Sequence, residues 1–284
     1  MLDLDPTREG VPPKEAATLI AVRDAAGGGV EVFCVERQKA GFLGGAIVFP
    51  GGKLDPGDLD AAWASRTNAP RAVDPPWAAD EATARGLAVA ACREALEEAA
   101  ILPLVGEALT HEELVAWRGR AARKETDLRS MLAAAGRTLD LAALVPFARW
   151  ITPAAEARRY DTRFFLFAAG AALTGAHDDH ETTASFWAKP DEVVHRFLGG
   201  ELQLAPPTHR SLEILATAAN TEAALDAART ACLEPICPRL VTQGHTVALV
   251  LPGDPEHELR TPRSPGKSRY VMRGTRFLPE DAPG

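Results

Sequence analysis

Short runs of apolar residues, punctuated by glycine and proline, follow one another along most of the chain. Ala17 to Val22 and Val30 to Val35 are two β-prone runs around Gly27-Gly28-Gly29, the pattern of a hairpin. Ala46 to Phe49 is a third, stopped by Pro50-Gly51-Gly52. Asp80 is an N-cap candidate with Glu81 in the following turn, and a helix is expected from there to about Ala100, with Pro103 beyond its end. Gly86 weakens it, so its regular part is expected from Leu87. Residues 110–135 read as one or two helices stopped by Gly136. Leu144 to Ile151, Thr162 to Ala168 and Ser185 to Ala188 read as strands, and Asp191 to Leu198 as a short helix. Helices then open at Thr208 and Thr221, followed by β-prone runs from Thr246 to Leu251 and near Tyr270. Residues 1–14 form a polar, Pro-rich lead-in, and 59–79 have no clean period. The alternation of strands and helices implies an α/β chain, or α+β with a mixed sheet.

Composition narrows the class. The 284 residues suit one large domain or two ordinary ones, and 46% apolar with 25% charged residues is the balance of a globular protein. Lys plus Arg is 31 against 39 Asp plus Glu, a net charge of −8, which argues against a duplex nucleic-acid binder. No stretch reaches the roughly 18 apolar residues that would span a bilayer. Met1 to Arg8 is acidic where a secretory leader is basic and then apolar. Four cysteines without close, regular spacing point to a reducing compartment. The expectation is a cytoplasmic enzyme with neither a nucleic-acid nor a membrane partner.

The candidate chemistry lies in Arg93-Glu94-Ala95-Leu96-Glu97-Glu98. At 100° per residue the three glutamates share an arc of about 100° on the helix. Val89, Cys92, Leu96 and Ala99 lie opposite and suit a buried face, while Ala90 and Ala91 leave room for a ligand on the acidic side. Carboxylates this close repel one another and suit a hard cation, Mg²⁺ or Mn²⁺. Taken alone, the segment fits a solvated acidic face better. The upstream Phe49-Pro50-Gly51-Gly52-Lys53-Leu54-Asp55-Pro56-Gly57-Asp58 tips the balance, because two glycines after a strand let backbone approach a ligand and a second turn presents an acid.

In that order the two segments resemble the box of the Nudix hydrolases, G-x5-E-x7-R-E-U-x-E-E-x-G-U. Gly52 and Asp58 fit the first half, with Asp for Glu; Arg93 to Ile101 fits the second, with Ala95 for the aliphatic residue and Ala100 for glycine. Residues 59–92 stand where the plain box has only seven residues. Such a split resembles the coenzyme A and acyl-coenzyme A diphosphatase branch, that of the vertebrate Nudix type 19 enzyme. Trp63, Trp150-Ile151-Thr152-Pro153, Arg158 to Phe165 and Leu204 to Thr208 are similar to the same branch.

The resemblance implies a Nudix α/β/α sandwich with a mixed curved sheet over 15–205, an insertion at about 59–85 inside the box, and a helical and β extension over 206–284. It implies metal-dependent cleavage of a small-molecule nucleoside diphosphate derivative, namely coenzyme A or acyl-coenzyme A, to 3′,5′-ADP and (acyl-)4′-phosphopantetheine. Mg²⁺ or Mn²⁺ is the expected cofactor. Glu97 and Glu98 become the main metal ligands, Glu94 a ligand or the base, Arg93 the residue that orients a glutamate; the Gly52 backbone lies near the metal and Asp58 assists. Glu181, in the polar stretch His177-Asp178-Asp179-His180-Glu181, is a second candidate base, although the stretch itself reads more readily as a hydrated turn. Arg158, Arg159 and Arg163 suit phosphate contacts, including the 3′-phosphate of coenzyme A, and equally an ordinary surface cluster. Trp63 and Trp77 suit either a ligand wall or an anchor for the insertion. Cys232 and Cys237 lack partners for a zinc site and are assigned to packing. The helices at 208–231 suit either covering the core or making a homodimer. The chain ends Asp281-Ala282-Pro283-Gly284, without a peroxisomal S-K-L type signal, which again suggests cytoplasm. Two alternatives stand beside this reading: a diphosphatase for ADP-ribose, NADH or another nucleotide, and a nucleotide sensor of the same fold that cleaves nothing.

Overall fold

The computed structural model describes residues 3–38, 44–73, 77–178 and 181–282. A mixed eight-stranded sheet is sandwiched between helices. Strand β1 (Lys14–Asp24) alternates its side chains: Ala17, Leu19 and Ala21 pack on one face of the sheet and Ile20 and Val22 on the other. In β2 (Val30–Arg37), Phe33 and Val35 join the first face, and Val32 and Cys34 the second. The hairpin between them, expected from three consecutive glycines, has all three at positive φ.

Helix α1 (Glu81–Ala99) covers the first face. It starts as expected, with the Asp80 side chain accepting the Thr83 N–H, but it runs unbroken through Gly86. A Cβ there would stand 3.3 Å from the Asp58 carbonyl and 2.7 Å from Leu59 Cδ2, so the glycine lets the Asp58 turn pack closely on the helix where propensity is poor. Ala90 and Ala91 are fully buried; their small size serves helix-to-sheet packing and leaves no opening for a ligand. The helix stops at Ala100, which takes φ 51 in the left-handed region where the family pattern has glycine. Helices α2 (His111–Ala122) and α3 (Leu128–Ala134) follow, with Gly136 at φ 63.

Strands β3 (Ala46–Val48), β5 (Val145–Ile151), β6 (Tyr160–Ala168) and β7 (Thr182–Ala188) occupy the expected runs. Two short strands of this sheet were not anticipated, β4 (Gly51–Lys53) and β8 (Gln203–Leu204). The order is β5-β6-β1-β2-β3-β8, with β4 added on β1 and β7 on β2. The second face is covered from α4 (Pro190–Leu198), α5 (Pro206–Leu215) and α6 (Thr221–Arg229). Residues beyond them form a four-stranded antiparallel sheet of β9 (Arg239–Gln243), β10 (Thr246–Val250), β11 (Arg269–Arg273) and β12 (Arg276–Glu280). Leu249, Tyr270 and Phe277 of that sheet share one apolar cluster with Ile20 and Phe164 of the main sheet. No helix among the described residues is long and apolar enough to cross a membrane.

Candidate active site

The site lies where the sheet forks. Along one edge β1 pairs continuously with β6, from Lys14 to Val22. Its other edge is shared: Val22–Asp24 pair with β2, whereas Ala16–Thr18 pair with β4. Phe49 and Pro50 carry the chain from β3 to β4, and the Pro50 carbonyl accepts the Leu19 N–H at 2.9 Å. Two glycines end this passage, and backbone makes the first of them obligatory. A Cβ on Gly51 would collide with Thr18, its distance to the Ala17 carbonyl being only 2.6 Å. A Cβ on Gly52 would overlap the Glu94 carboxylate.

The acidic arc of α1 faces this passage. The Gly51 N–H donates to Glu98 Oε2 at 3.0 Å. Arg93 reaches the other half of the box across the insertion: its Nε and Nη2 donate to the two oxygens of Asp58, each at 3.0 Å. Nη2 also donates to the Lys53 carbonyl, and Nη1 to Glu94 Oε1 at 2.8 Å and Glu97 Oε2 at 3.3 Å. Asp58 sits in the 3-10 turn Pro56–Leu59 and is buried; its Oδ2 accepts the Asp55 N–H at 2.9 Å in a reciprocal capping box. Arg93 thus joins β4, the Pro-Gly turn and α1 in one ion-pair network.

Three carboxylates, Asp58, Glu94 and Glu97, therefore surround one guanidinium, with Asp55 Oδ2 3.9 Å away. Burial pushes the Glu94 carboxyl up to about 7, although the Arg93 charge beside it acts downward. Burial pushes Glu98 further, to about 8, against the Gly51 hydrogen bond. Glu97 is raised for the same first reason, tempered by Arg93. Sheltered acids whose charge is undercompensated favour a divalent cation, and all-oxygen donors suit a hard one. The residue chemistry fits such an ion. Among the described residues no three acids or other donors already converge on one point. Arg93 holds Glu94 and Glu97, and the Gly51 amide holds Glu98, so the three stay side by side along the glycine passage.

Glu181 is exposed, and its charge contributes to raising both Glu94 and Glu98, so the loop before β7 brings it toward the acidic arc. Asp179 and His180 lie outside the described residues.

The three arginines are not brought together on a surface. Arg163 is buried, pairing with Asp161 and Glu15 and donating from Nε to the Trp77 carbonyl at 3.0 Å. The expectation that it touches phosphate is corrected: neighbouring strand carboxylates and the end of the insertion enclose it. Arg159 donates to the carbonyls of Thr152 and Val11 and works as a loop tie. Arg158 alone of the three is exposed. Trp63 and Trp77 are both buried, Trp77 edge-on to Phe165, which answers the open question in favour of anchoring the insertion. All four cysteines are free, and burial raises the thiol pKa of Cys34 and Cys92.

Three contributors escaped the sequence reading. The Gly51 N–H and Lys53 carbonyl are backbone groups, and no residue-type pattern announces them. Arg37, at the end of β2, acts on Glu98 through its charge and opposes the rise in that carboxyl's pKa. A lone arginine at a strand end carries no motif.

Comparison with known proteins agrees with this geometry. A family model described as the NUDT19 Nudix domain matches residues 78–215, which include α1. The chain is 30% identical over 219 residues to the acyl-coenzyme A diphosphatase NUDT19 of Gallus gallus, covering 62% of this chain and 58% of the relative. To the Homo sapiens protein of the same name it is 29% identical over 219 residues, with 63% and 58% covered. The chain thus spans under two thirds of the length of these relatives. The crystal structure of a NUDIX hydrolase from Alicyclobacillus acidocaldarius superposes with a TM-score of 0.64 at 31% identity, covering 76% of this chain and 96% of that one. With nearly the whole of that protein matched, and the carboxylate helix seated on the glycine passage, the chain belongs to the Nudix hydrolase family.

Proposed function

We propose that the chain is a divalent-metal-dependent diphosphatase acting on coenzyme A or acyl-coenzyme A, giving 3′,5′-ADP and (acyl-)4′-phosphopantetheine. The observation that carries the reading is the closure of a divided box: Arg93 grips Asp58 across the insertion, while Glu94 and Glu98 lie against Gly52 and Gly51. The substrate class is supported by the named function of the relatives, acyl-coenzyme A diphosphatase.

Glu94, Glu97 and Glu98 would hold the cation, with the Gly52 backbone beside it and Asp58 assisting through Arg93. When bound, Mg²⁺ or Mn²⁺ neutralises diphosphate charge and acidifies water. The chain's own residues do the rest. Arg93 keeps two glutamates from swinging away, and Asp58 keeps Arg93 aligned. Water attacks one phosphorus of the anhydride, a carboxylate removes its proton, and the other phosphate leaves. Glu94, where it is not itself a ligand, is one candidate for the base, and exposed Glu181 is the second. Arg158 is the remaining arginine able to meet the 3′-phosphate.

Incubation with coenzyme A, acetyl-coenzyme A, dephospho-coenzyme A, ADP-ribose and NADH, each with Mg²⁺ or Mn²⁺, tests the proposal by mass spectrometry of the products. Release of 3′,5′-ADP, and a preference for coenzyme A over its dephospho form, is expected. Cleavage of ADP-ribose or NADH alone would replace the substrate and keep the chemistry; cleavage of none would favour a nucleotide sensor.

A further inference from the structure

The insertion reaches back to the site at the Gly57 carbonyl, which accepts the Asp60 N–H at 3.4 Å and a shorter bond from an indole. Trp63, in the 3-10 helix Ala61–Ser65, is buried, and its Nε1–H donates to the Gly57 carbonyl at 2.9 Å. Gly57 directly precedes Asp58, the residue gripped by Arg93. On the other side, Leu59 abuts Gly86 of α1, so the turn carrying Asp58 is held from both flanks. Trp63 is itself held: its carbonyl accepts the Arg66 N–H at 2.8 Å and Thr67 Oγ1–H at 3.1 Å. The adjacent Asp60 side chain caps the helix through the Ala62 N–H and pairs with Arg129 of α3.

We propose that Trp63 is a positioning residue for the carboxylate site: its indole N–H fixes the Pro56–Leu59 turn so that Asp58 keeps Arg93, and through it Glu94 and Glu97, in register with Gly52. The insertion is then a brace that closes the divided box. This rests on the proposed metal-dependent activity, but the relay from Trp63 to Asp58 to Arg93 is testable without turnover.

The test is a double-mutant cycle on the full chain: wild type, Trp63→Phe, Asp58→Asn and the double variant. Mn²⁺ affinity is read by electron paramagnetic resonance, kcat and KM with acetyl-coenzyme A, and folding by circular dichroism. Trp63→Phe keeps a buried ring and removes the N–H; Trp63→Tyr replaces it if the Phe variant does not fold. Trp63→Phe is expected to weaken Mn²⁺ binding and lower kcat by roughly three- to tenfold, the range of one lost hydrogen bond, with KM little changed. In the Asp58→Asn background it is expected to have almost no further effect. Unchanged Mn²⁺ affinity in Trp63→Phe, or a loss that persists in full beside Asp58→Asn, would overturn the proposal. A wild type that binds Mn²⁺ but cleaves no diphosphate would defeat the functional reading alone, and the Mn²⁺ cycle would still decide the role of Trp63. A wild type that binds no Mn²⁺ would overturn both.

Discussion

The Glu94 carboxylate occupies the space that a side chain at position 52 would need: a Cβ on Gly52 would lie 2.7 Å from Glu94 Oε2 and closer still to its other atoms. Helix and loop therefore touch where neither can yield without moving a site residue. Gly52→Ala is expected to displace Glu94 and lower kcat/KM at least a hundredfold, the usual scale for a small misplacement at a reacting centre. Steady-state kinetics beside a thermal melt checks this. An active, well-folded alanine variant would mean that Glu94 does not act from this position.

The Arg93–Asp58 pair spans the insertion with two 3.0 Å hydrogen bonds and a buried carboxylate. Asp58→Asn keeps the shape and removes the charge. It is expected to cost about 2–3 kcal/mol of stability, the scale of charged hydrogen bonds, and to lower kcat by roughly tenfold or more. Urea denaturation and single-turnover rates give the two numbers independently.

Arg158 and Arg163 separate binding from architecture. Arg158→Ala is expected to raise KM for coenzyme A several-fold and leave KM for dephospho-coenzyme A nearly unchanged. Arg163→Met removes a buried cation from Asp161, which keeps Arg149, and from the partly exposed Glu15, and is expected to destabilise by about 1–3 kcal/mol, the scale of lost charged hydrogen bonds. Thermal melts and substrate comparison on both variants distinguish the roles. An Arg163 variant of normal stability but altered selectivity would reverse the assignment.

These contrasts mark what the sequence makes legible. The α1 arc is readable because Asp80 caps the helix and 3.6-residue spacing alone aligns Glu94, Glu97 and Glu98. The passage at Gly51-Gly52 is readable as a close approach, but not as a strand: β4 has two glycines and one exposed lysine, and its pairing comes wholly from β1. Arg163 reads as a surface cation because two of the groups that enclose it come from afar, Glu15 of β1, 148 residues earlier, and the Trp77 carbonyl, 86 residues earlier. Gly86 reads as a weak point because the Asp58–Leu59 turn that packs on it comes from the far end of the insertion. Local pattern was legible; partners supplied by distant segments were not.

His209 gives the fold a pH dependence distinct from that of the acidic arc. It is buried between Phe197 and Tyr270, with Nδ1 3.0 Å from the Tyr270 hydroxyl and 3.4 Å from Glu213 Oε2. Burial, aided by the Arg210 charge, lowers its pKa to about 4. The unfolded chain takes a proton near pH 6.5 while the folded one resists to about 4, so stability falls as pH drops through that window. The loss is about 3 kcal/mol in full. Denaturation of wild type and His209→Gln at pH 7 and pH 4.5 is expected to show a steeper fall in the wild type. Parallel falls would place the titration elsewhere.

The most direct test incubates acetyl-coenzyme A with wild type and with Glu98→Gln, with and without Mg²⁺ or Mn²⁺, and follows 3′,5′-ADP by mass spectrometry. Release by the wild type only with metal, and a loss of at least a hundredfold in Glu98→Gln, is the expected result. Metal-independent release, or equal release by Glu98→Gln, would contradict a diphosphatase site built from the α1 carboxylates and the glycine passage.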